Sequence, residues 1–148
     1  MSRTIRCQGA IVREHQLLLI QHREHGSGRA YWLLPGGGQE GAESEAECVA
    51  REMREETGLE VAVERLILDE PDAPGGVYQR RHTYLCRVLS GEAAPGYEPE
   101  LEASDFYGIV AVAWFDLRDT AGWDPEAMAD PITQPQVVKL RATLGYAD

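Results

Sequence analysis

Glu52, Glu55 and Glu56 put three carboxylates within five residues, with Arg51 and Arg54 interleaved. On an α-helix, at roughly 100° per residue, the three share one arc of about 100°. Like charges at that spacing destabilise a helix by a few tenths of a kcal/mol each, and the two arginines answer only part of the charge. Clustered oxygen ligands on one rigid element are the donor set that hard divalent cations such as Mg²⁺ or Mn²⁺ take. A bare Glu-x-x-Glu-Glu triplet also occurs on solvated acidic helix faces. The flanking residues therefore decide between a metal site and a wet surface.

Those flanks read as a helix with defined ends. Ser44 and Glu47 have the spacing of a capping box, in which hydroxyl and carboxylate satisfy each other's free backbone donors. Gly58 supplies the stop, because the residue just past a helix end often needs positive φ. Ala46, Val49, Ala50 and Met53 fall on one side and predict a packed face, with the anionic arc about a quarter-turn away. Pro35-Gly36-Gly37-Gly38 lies upstream, and that context argues against a merely solvated face.

The run Gly37-x5-Glu43-x7-Arg51-Glu52-Met53-x-Glu55-Glu56-x-Gly58-Leu59 resembles the signature box of the Nudix hydrolases at every specified position. The box covers 23 of 148 residues; Trp32 to Pro35 and the later Trp114-Phe115 are also similar to the family. The resemblance implies hydrolysis of a diphosphate linkage in a nucleoside diphosphate joined to a further group, by a water activated with Mg²⁺ or Mn²⁺. It implies Glu52, Glu55 and Glu56 as metal ligands, with the backbone carbonyl of Gly36 added. Gly37, Glu43 and Gly58 are the structural positions of the motif. Arg51 is expected to orient a neighbouring carboxylate through a bidentate pair. Glu43 either supports the site or simply favours the helix dipole. In relatives the general base comes from the box helix, here Glu52, or from a carboxylate on a distal loop. That loop offers Glu98, Glu100, Glu102 and Asp105, of which Glu100 and Glu102 lie nearest its middle.

Substrate recognition is assigned to a ring and cations beside a predicted strand, Tyr78, Arg80, Arg81 and His82, and to Arg23 and Arg29 ahead of the glycine run. Alternation puts Arg80 and His82 on one face and Arg81 on the other, so one set at most points into a site. A module that senses a nucleotide without turning it over is the competing function. A complete carboxylate set argues against it, since a sensor has no need of every ligand.

The rest of the chain must position these groups. At 148 residues one domain is expected, and a formal charge of −11 argues against general binding to nucleic-acid polymers or anionic membranes. The expected partner is a small anionic nucleotide derivative, reconciled with the acidic protein by metal held on the carboxylates; a homodimer is left open. Cys7, Cys48 and Cys86 are odd in number and scattered, which fits free buried thiols in a reducing compartment. With no apolar stretch of signal or membrane-spanning length, a cytoplasmic location is expected. Strands are predicted at Ile5 to Val12, Leu17 to Gln21, Tyr31 to Leu34, Val61 to Leu68, Val77 to Leu89 and Ile109 to Phe115. Loops are predicted at His22 to Arg29 and Gly91 to Asp105, and a terminal amphipathic helix at Gln134 to Leu144. Mixed strands with two helices indicate an α/β (α+β) layered domain. The resemblance narrows it to a Nudix-like α/β/α sandwich with a mixed central β-sheet.

Overall fold

The computed structural model describes residues 4–72, 77–96 and 107–146. Strands β1 (Ile5–Arg13), β2 (Gln16–Glu24), β3 (Ala30–Leu33), β4 (Gly36–Gly37), β5 (Glu60–Pro71), β6 (Arg80–Ser90) and β7 (Tyr107–Asp116) join in one sheet. Its order is β3-β2-β1-β6-β5, with β4 on β1 and β7 on β2. The β1–β6 pair is parallel and the others antiparallel, so the sheet is mixed. The helices are α1 (Glu45–Thr57), a five-residue α2 (Pro125–Ala129) and α3 (Thr133–Thr143), with a 3₁₀ turn at Thr120–Gly122.

Two apolar clusters lie on opposite faces of the sheet. Cys48, Val49 and Met53 of α1 pack with Cys7, Ile11 and Leu18, while Ala127 of α2 and Val137 and Leu140 of α3 pack with Ala10, Leu17 and Leu19. The period-two alternation along β1 and β2 assigns neighbouring residues to the two layers. The expected α/β/α sandwich follows. Trp32 is core and meets Phe115 edge to face at 5.2 Å. Trp114 is only half-buried, with the Arg13 guanidinium 4.2 Å above its ring.

The β1–β2 hairpin turns on Glu14 and His15, with φ of 50° and 69°. Two successive positive φ values define the type I′ turn that suits strand twist and that favours Asn or Gly. Glu14→Asn relieves part of that conformational cost. It is expected to stabilise the fold by about 0.5 to 1 kcal/mol, read as a Tm increase of roughly 2–4 °C.

Several expectations need correction. His22, Arg23 and Glu24 belong to β2, because all three pair with β7, and His22 and Arg23 also with β3, and the ladder outweighs their polarity. β6 begins at Arg80, and Val77 is exposed outside it. β5 extends through Pro71, beyond the predicted strand end. β4 and α2 have no signal in periodicity, being too short. The packed side of α1 is rotated from that predicted. Ala46 is exposed and Ala50 half-buried, whereas Glu52 and Glu56 lie inside with Val49 and Met53. The three cysteines are free and buried. No helix among the described residues is long and apolar enough to cross a membrane.

A candidate hydrolytic centre on helix α1

The ends of α1 are built as the sequence predicts. Ser44 Oγ accepts from the Glu47 backbone N–H at 3.1 Å, Glu47 Oε1 accepts from the Ser44 N–H at 2.9 Å, and Gly58 sits at φ 76°. With both ends defined, the packing of Val49 and Met53 against the sheet sets the rotation of the helix. Glu52 and Glu56, four residues apart, then point inward at 1% exposure each. Glu55 stays at the rim with 19% of its side chain exposed.

Opposite these carboxylates lies the glycine segment. The Gly36 N–H donates to Glu56 Oε1 at 2.7 Å. A Cβ on Gly37 would stand 2.5 Å from the Glu52 carboxylate oxygen, and one on Gly36 would stand 2.5 Å from the Cys7 backbone carbonyl. These two glycines therefore separate by experiment. Gly36→Ala meets immovable backbone and is expected to cost about 2 kcal/mol or more of stability. Gly37→Ala displaces the end of a flexible side chain, costs about 1 kcal/mol or less, and lowers any turnover roughly 100-fold by misplacing Glu52. Urea unfolding and initial rates on both variants check the split.

Arg51 is the hub of the cluster. Its Nε and Nη2 form a bidentate pair with Glu43 at 2.8 and 2.9 Å, and its Nη1 lies 3.0 Å from both Glu52 and Glu55. Nη2 also donates to the Gly38 carbonyl at 3.1 Å. The bidentate partner is thus Glu43, and Arg51 reaches the helix carboxylates with its remaining nitrogen. Glu43 also accepts from the Glu40 N–H. Its hydrogen bonds from Arg51 hold its carboxyl below the ordinary range, and the same bonds raise Arg51 above its own. Glu43 thus holds Arg51 beside the helix carboxylates.

The donor set fits a hard cation. Glu52, Glu55 and Glu56 offer oxygen only, two of them from inside the protein, and the Gly37 backbone leaves beside Glu52 the space a side chain would fill. Among the described residues no three carboxylate, imidazole or thiol groups already stand in coordinating geometry. Arg51 Nη1 occupies the position between Glu52 and Glu55 instead.

The expected recognition residues scatter. Arg80 bonds Asp69 at 2.8 Å. His82 bonds Glu45 at 2.6 Å through Nδ1 and lies 3.1 Å from Asp69 through Nε2. Arg81 faces the other way, 3.7 Å from Glu70 and 3.5 Å from Asp72. The predicted alternation holds, and carboxylates outside the Glu52–Glu56 centre engage both faces. Tyr78 is half-buried ahead of β6. Arg23 and Arg29 line a groove along β2 and β3. Glu98, Glu100, Glu102 and Asp105 lie outside the described residues. Sequence reasoning missed Glu45, whose Oε1 accepts from Tyr84 Oη at 2.8 Å as well as meeting His82. Its spacing of seven residues from Glu52, two turns along the same stripe, is the signal that could have found it.

A family model described as NUDIX domain matches residues 4–135 of this chain. The chain belongs to the Nudix family. Among curated relatives, the NAD-capped RNA hydrolase NudC of Vibrio parahaemolyticus is 35% identical over 101 residues, covering 68% of this chain and 36% of that protein. The ADP-ribose pyrophosphatase of Methanocaldococcus jannaschii is 31% identical over 122 residues, 78% of this chain and 71% of the relative. The Nudix chain thus spans only about a third of the length of the NudC relatives it matches. A solved NUDIX hydrolase from Nitrosomonas europaea has a TM-score of 0.70 at 22% identity, over 95% of this chain and 90% of that one, a likeness of fold. The crystal structure of an ADP-ribose pyrophosphatase from Streptococcus suis gives 0.65 at 25% identity, over 96% and 92%.

Proposed function

We propose that this Nudix protein hydrolyses the diphosphate linkage of a nucleoside diphosphate joined to a second group, with Glu52, Glu55 and Glu56 holding a divalent cation. The observation that carries the reading is the pair Glu52 and Glu56, each 1% exposed and turned toward Gly36 and Gly37. Charged carboxylates are costly to bury, and a hard divalent cation is a partner that their oxygens suit. Hydrolases of the family generally use divalent cations. A cation bound here supplies neutralisation of phosphate charge and greater acidity of water.

The remaining work falls to the chain. Gly36 donates its N–H to Glu56 and fixes that carboxylate. Arg51 sets the spread of Glu52 and Glu55 and is itself held by Glu43, which makes Arg51 and Glu43 positioning residues. The glycine segment lets a phosphate approach backbone closely. The protein's −11 charge repels an anionic substrate until the carboxylates are neutralised. Carboxylates neutralised by a cation would repel that substrate less.

The relatives named above act on ADP-ribose or on NAD-capped RNA, and both substrates contain an adenosine diphosphate. We take that moiety as the substrate class. The test is product release from ADP-ribose, NAD, NADH, diadenosine polyphosphates and nucleoside triphosphates, with Mg²⁺, with Mn²⁺ and with chelator. Metal-dependent cleavage of at least one diphosphate-linked compound is expected. Binding across the panel without cleavage would replace the reading by a nucleotide sensor. In parallel, millimolar Mg²⁺ or Mn²⁺ is expected to raise Tm by several degrees, because a ligand that prefers the native state stabilises it. A melting curve indifferent to both cations would contradict the metal assignment.

A further inference from the structure

Helix α1 ends at Thr57, and an α-helix leaves its last four carbonyls without partners of its own. In α1 they belong to Arg54, Glu55, Glu56 and Thr57, the turn that carries two of the three clustered carboxylates. The Gly58 N–H answers Arg54 at 3.1 Å. Two of the others are answered from a distant segment. Residues 91–96 follow β6 and lie as a strap against this turn, where the Ala94 N–H donates to the Thr57 carbonyl at 2.9 Å and the Gly96 N–H to the Glu56 carbonyl at 3.0 Å.

The sequence of the strap suits this contact. Pro95 has no N–H to give and stands between the two donors, where alternation along extended backbone turns its nitrogen away from the helix. It also biases Ala94 toward extended backbone. Ala93 packs against the apolar cluster beneath α1. Gly91, at φ 97°, carries the strap past the Gly58 carbonyl, which a Cβ would meet at 2.7 Å. Gly96 makes the closest approach. A Cβ there would overlap the Glu55 carbonyl oxygen and stand 2.8 and 2.9 Å from the carbonyl carbons of Glu55 and Glu56. Gly96 is not among the residues with positive φ, so glycine is needed here for space, not for conformation.

Glu56 is thereby held at both ends. Its side-chain Oε1 accepts from the Gly36 N–H at 2.7 Å, and its main-chain carbonyl accepts from Gly96. The first contact ties it to β4 and the second to the strap. A helix end without such partners frays, and a shift of about 1 Å is enough to spoil a ligand set.

We propose that Gly96 is a positioning residue for the carboxylate centre: the strap it closes on the last turn of α1 holds Glu55 and Glu56 in the setting that binds a divalent cation. Strap docking and cation binding are then coupled, and each strengthens the other by the same factor. This rests on the metal assignment made above and extends it to a residue outside the motif.

The experiment measures that factor twice. In the ¹⁵N-labelled full chain, exchange of the Ala94 and Gly96 amides with solvent is followed with and without Mg²⁺, and both are expected to slow about 10-fold or more. The Ala127 and Gln134 amides, on the opposite face of the sheet, should keep their rates. In Gly96→Ala, Mn²⁺ binding read by electron paramagnetic resonance should weaken by a similar factor. Val137→Ala, a core substitution on the opposite face, controls for lost stability and should bind Mn²⁺ as the parent does. Strap amides indifferent to Mg²⁺ in a protein that binds it, or Gly96→Ala binding Mn²⁺ like the parent, would overturn the proposal. If Gly96→Ala does not fold, the exchange measurement on the parent chain decides alone. A parent chain that binds neither cation would remove the metal assignment and this inference together, whereas cation binding with an indifferent strap removes this inference alone.

Discussion

Glu56→Gln is expected to lower kcat by about 1,000-fold or more, equivalent to about 4 kcal/mol of lost transition-state stabilisation, while the fold survives. The substitution keeps the shape of the side chain and an oxygen to accept the Gly36 N–H, which Glu56 now receives at 2.7 Å. It removes the negative charge at a position 1% exposed, where no solvent compensates for the loss. It also relieves some repulsion from Glu52, so Tm without metal stays within a few degrees of the parent. The rise in Tm with Mg²⁺ should disappear together with the activity. Glu55→Gln should fall less far, because Glu55 sits at the rim with 19% of its side chain exposed. Near-normal rates in both variants would remove the metal assignment. Loss of activity with the Mg²⁺ response intact would move Glu56 from cation binding to another role.

The second large effect belongs to Arg51 and is expected in stability as well as rate. Arg51 contacts Glu43, Glu52 and Glu55 with a side chain only 16% exposed, and Glu52 is 1% exposed. Replacing it by Met leaves Glu52 with one charged partner fewer, and breaking a buried pair from one side costs about 3 kcal/mol. Urea unfolding of Arg51→Met should show that loss. In a Glu52→Gln background the cost should shrink by more than about 1 kcal/mol, the coupling that contacting residues give in a double-mutant cycle. Glu43 sets the pH range over which the clamp works. Its folded carboxyl is held below the ordinary value of 4.5, so its contribution is present above that pH and is lost as pH falls through the folded value. Additive losses in the cycle would contradict the clamp.

Much of α1 is legible from sequence because its signals are local. Ser44, Glu47 and Gly58 act through backbone groups within a few residues, and each cap forms as its spacing predicts. The strands at Ile5, Leu17 and Ile109 carry enough branched apolar residues to declare themselves. Distant partners fix the rest. His22 to Glu24 read as loop from their polarity, yet they are strand because β7, more than eighty residues later, completes the ladder. β4 consists of two glycines and has no pattern of its own; its pairing with Cys7 and Gln8 creates it. The rotation of α1 depends on what lies beneath it. Cys7, Gly9 and Leu18 admit Met53 and Val49, and the same rotation carries Glu52 and Glu56 inward where the helical wheel predicts a separate anionic face.

The recognition residues show the same limit. Arg80 and His82 have the chemistry to meet phosphate or a base, but Asp69 and Glu45 already hold them, and neither partner is near in sequence. Arg23 and Arg29 are grouped by closeness to the glycine run and do share a groove. Residue type identifies the chemistry, and tertiary pairing decides which of the candidates remains available for it.

The decisive measurement is incubation with ADP-ribose in ¹⁸O-labelled water with Mg²⁺, followed by mass analysis of the phosphorylated products. Two phosphate monoesters are expected, one carrying a single ¹⁸O, formed with Mg²⁺ and lost with chelator and in Glu56→Gln. Label incorporation undiminished in Glu56→Gln would show that this buried carboxylate does not serve diphosphate hydrolysis.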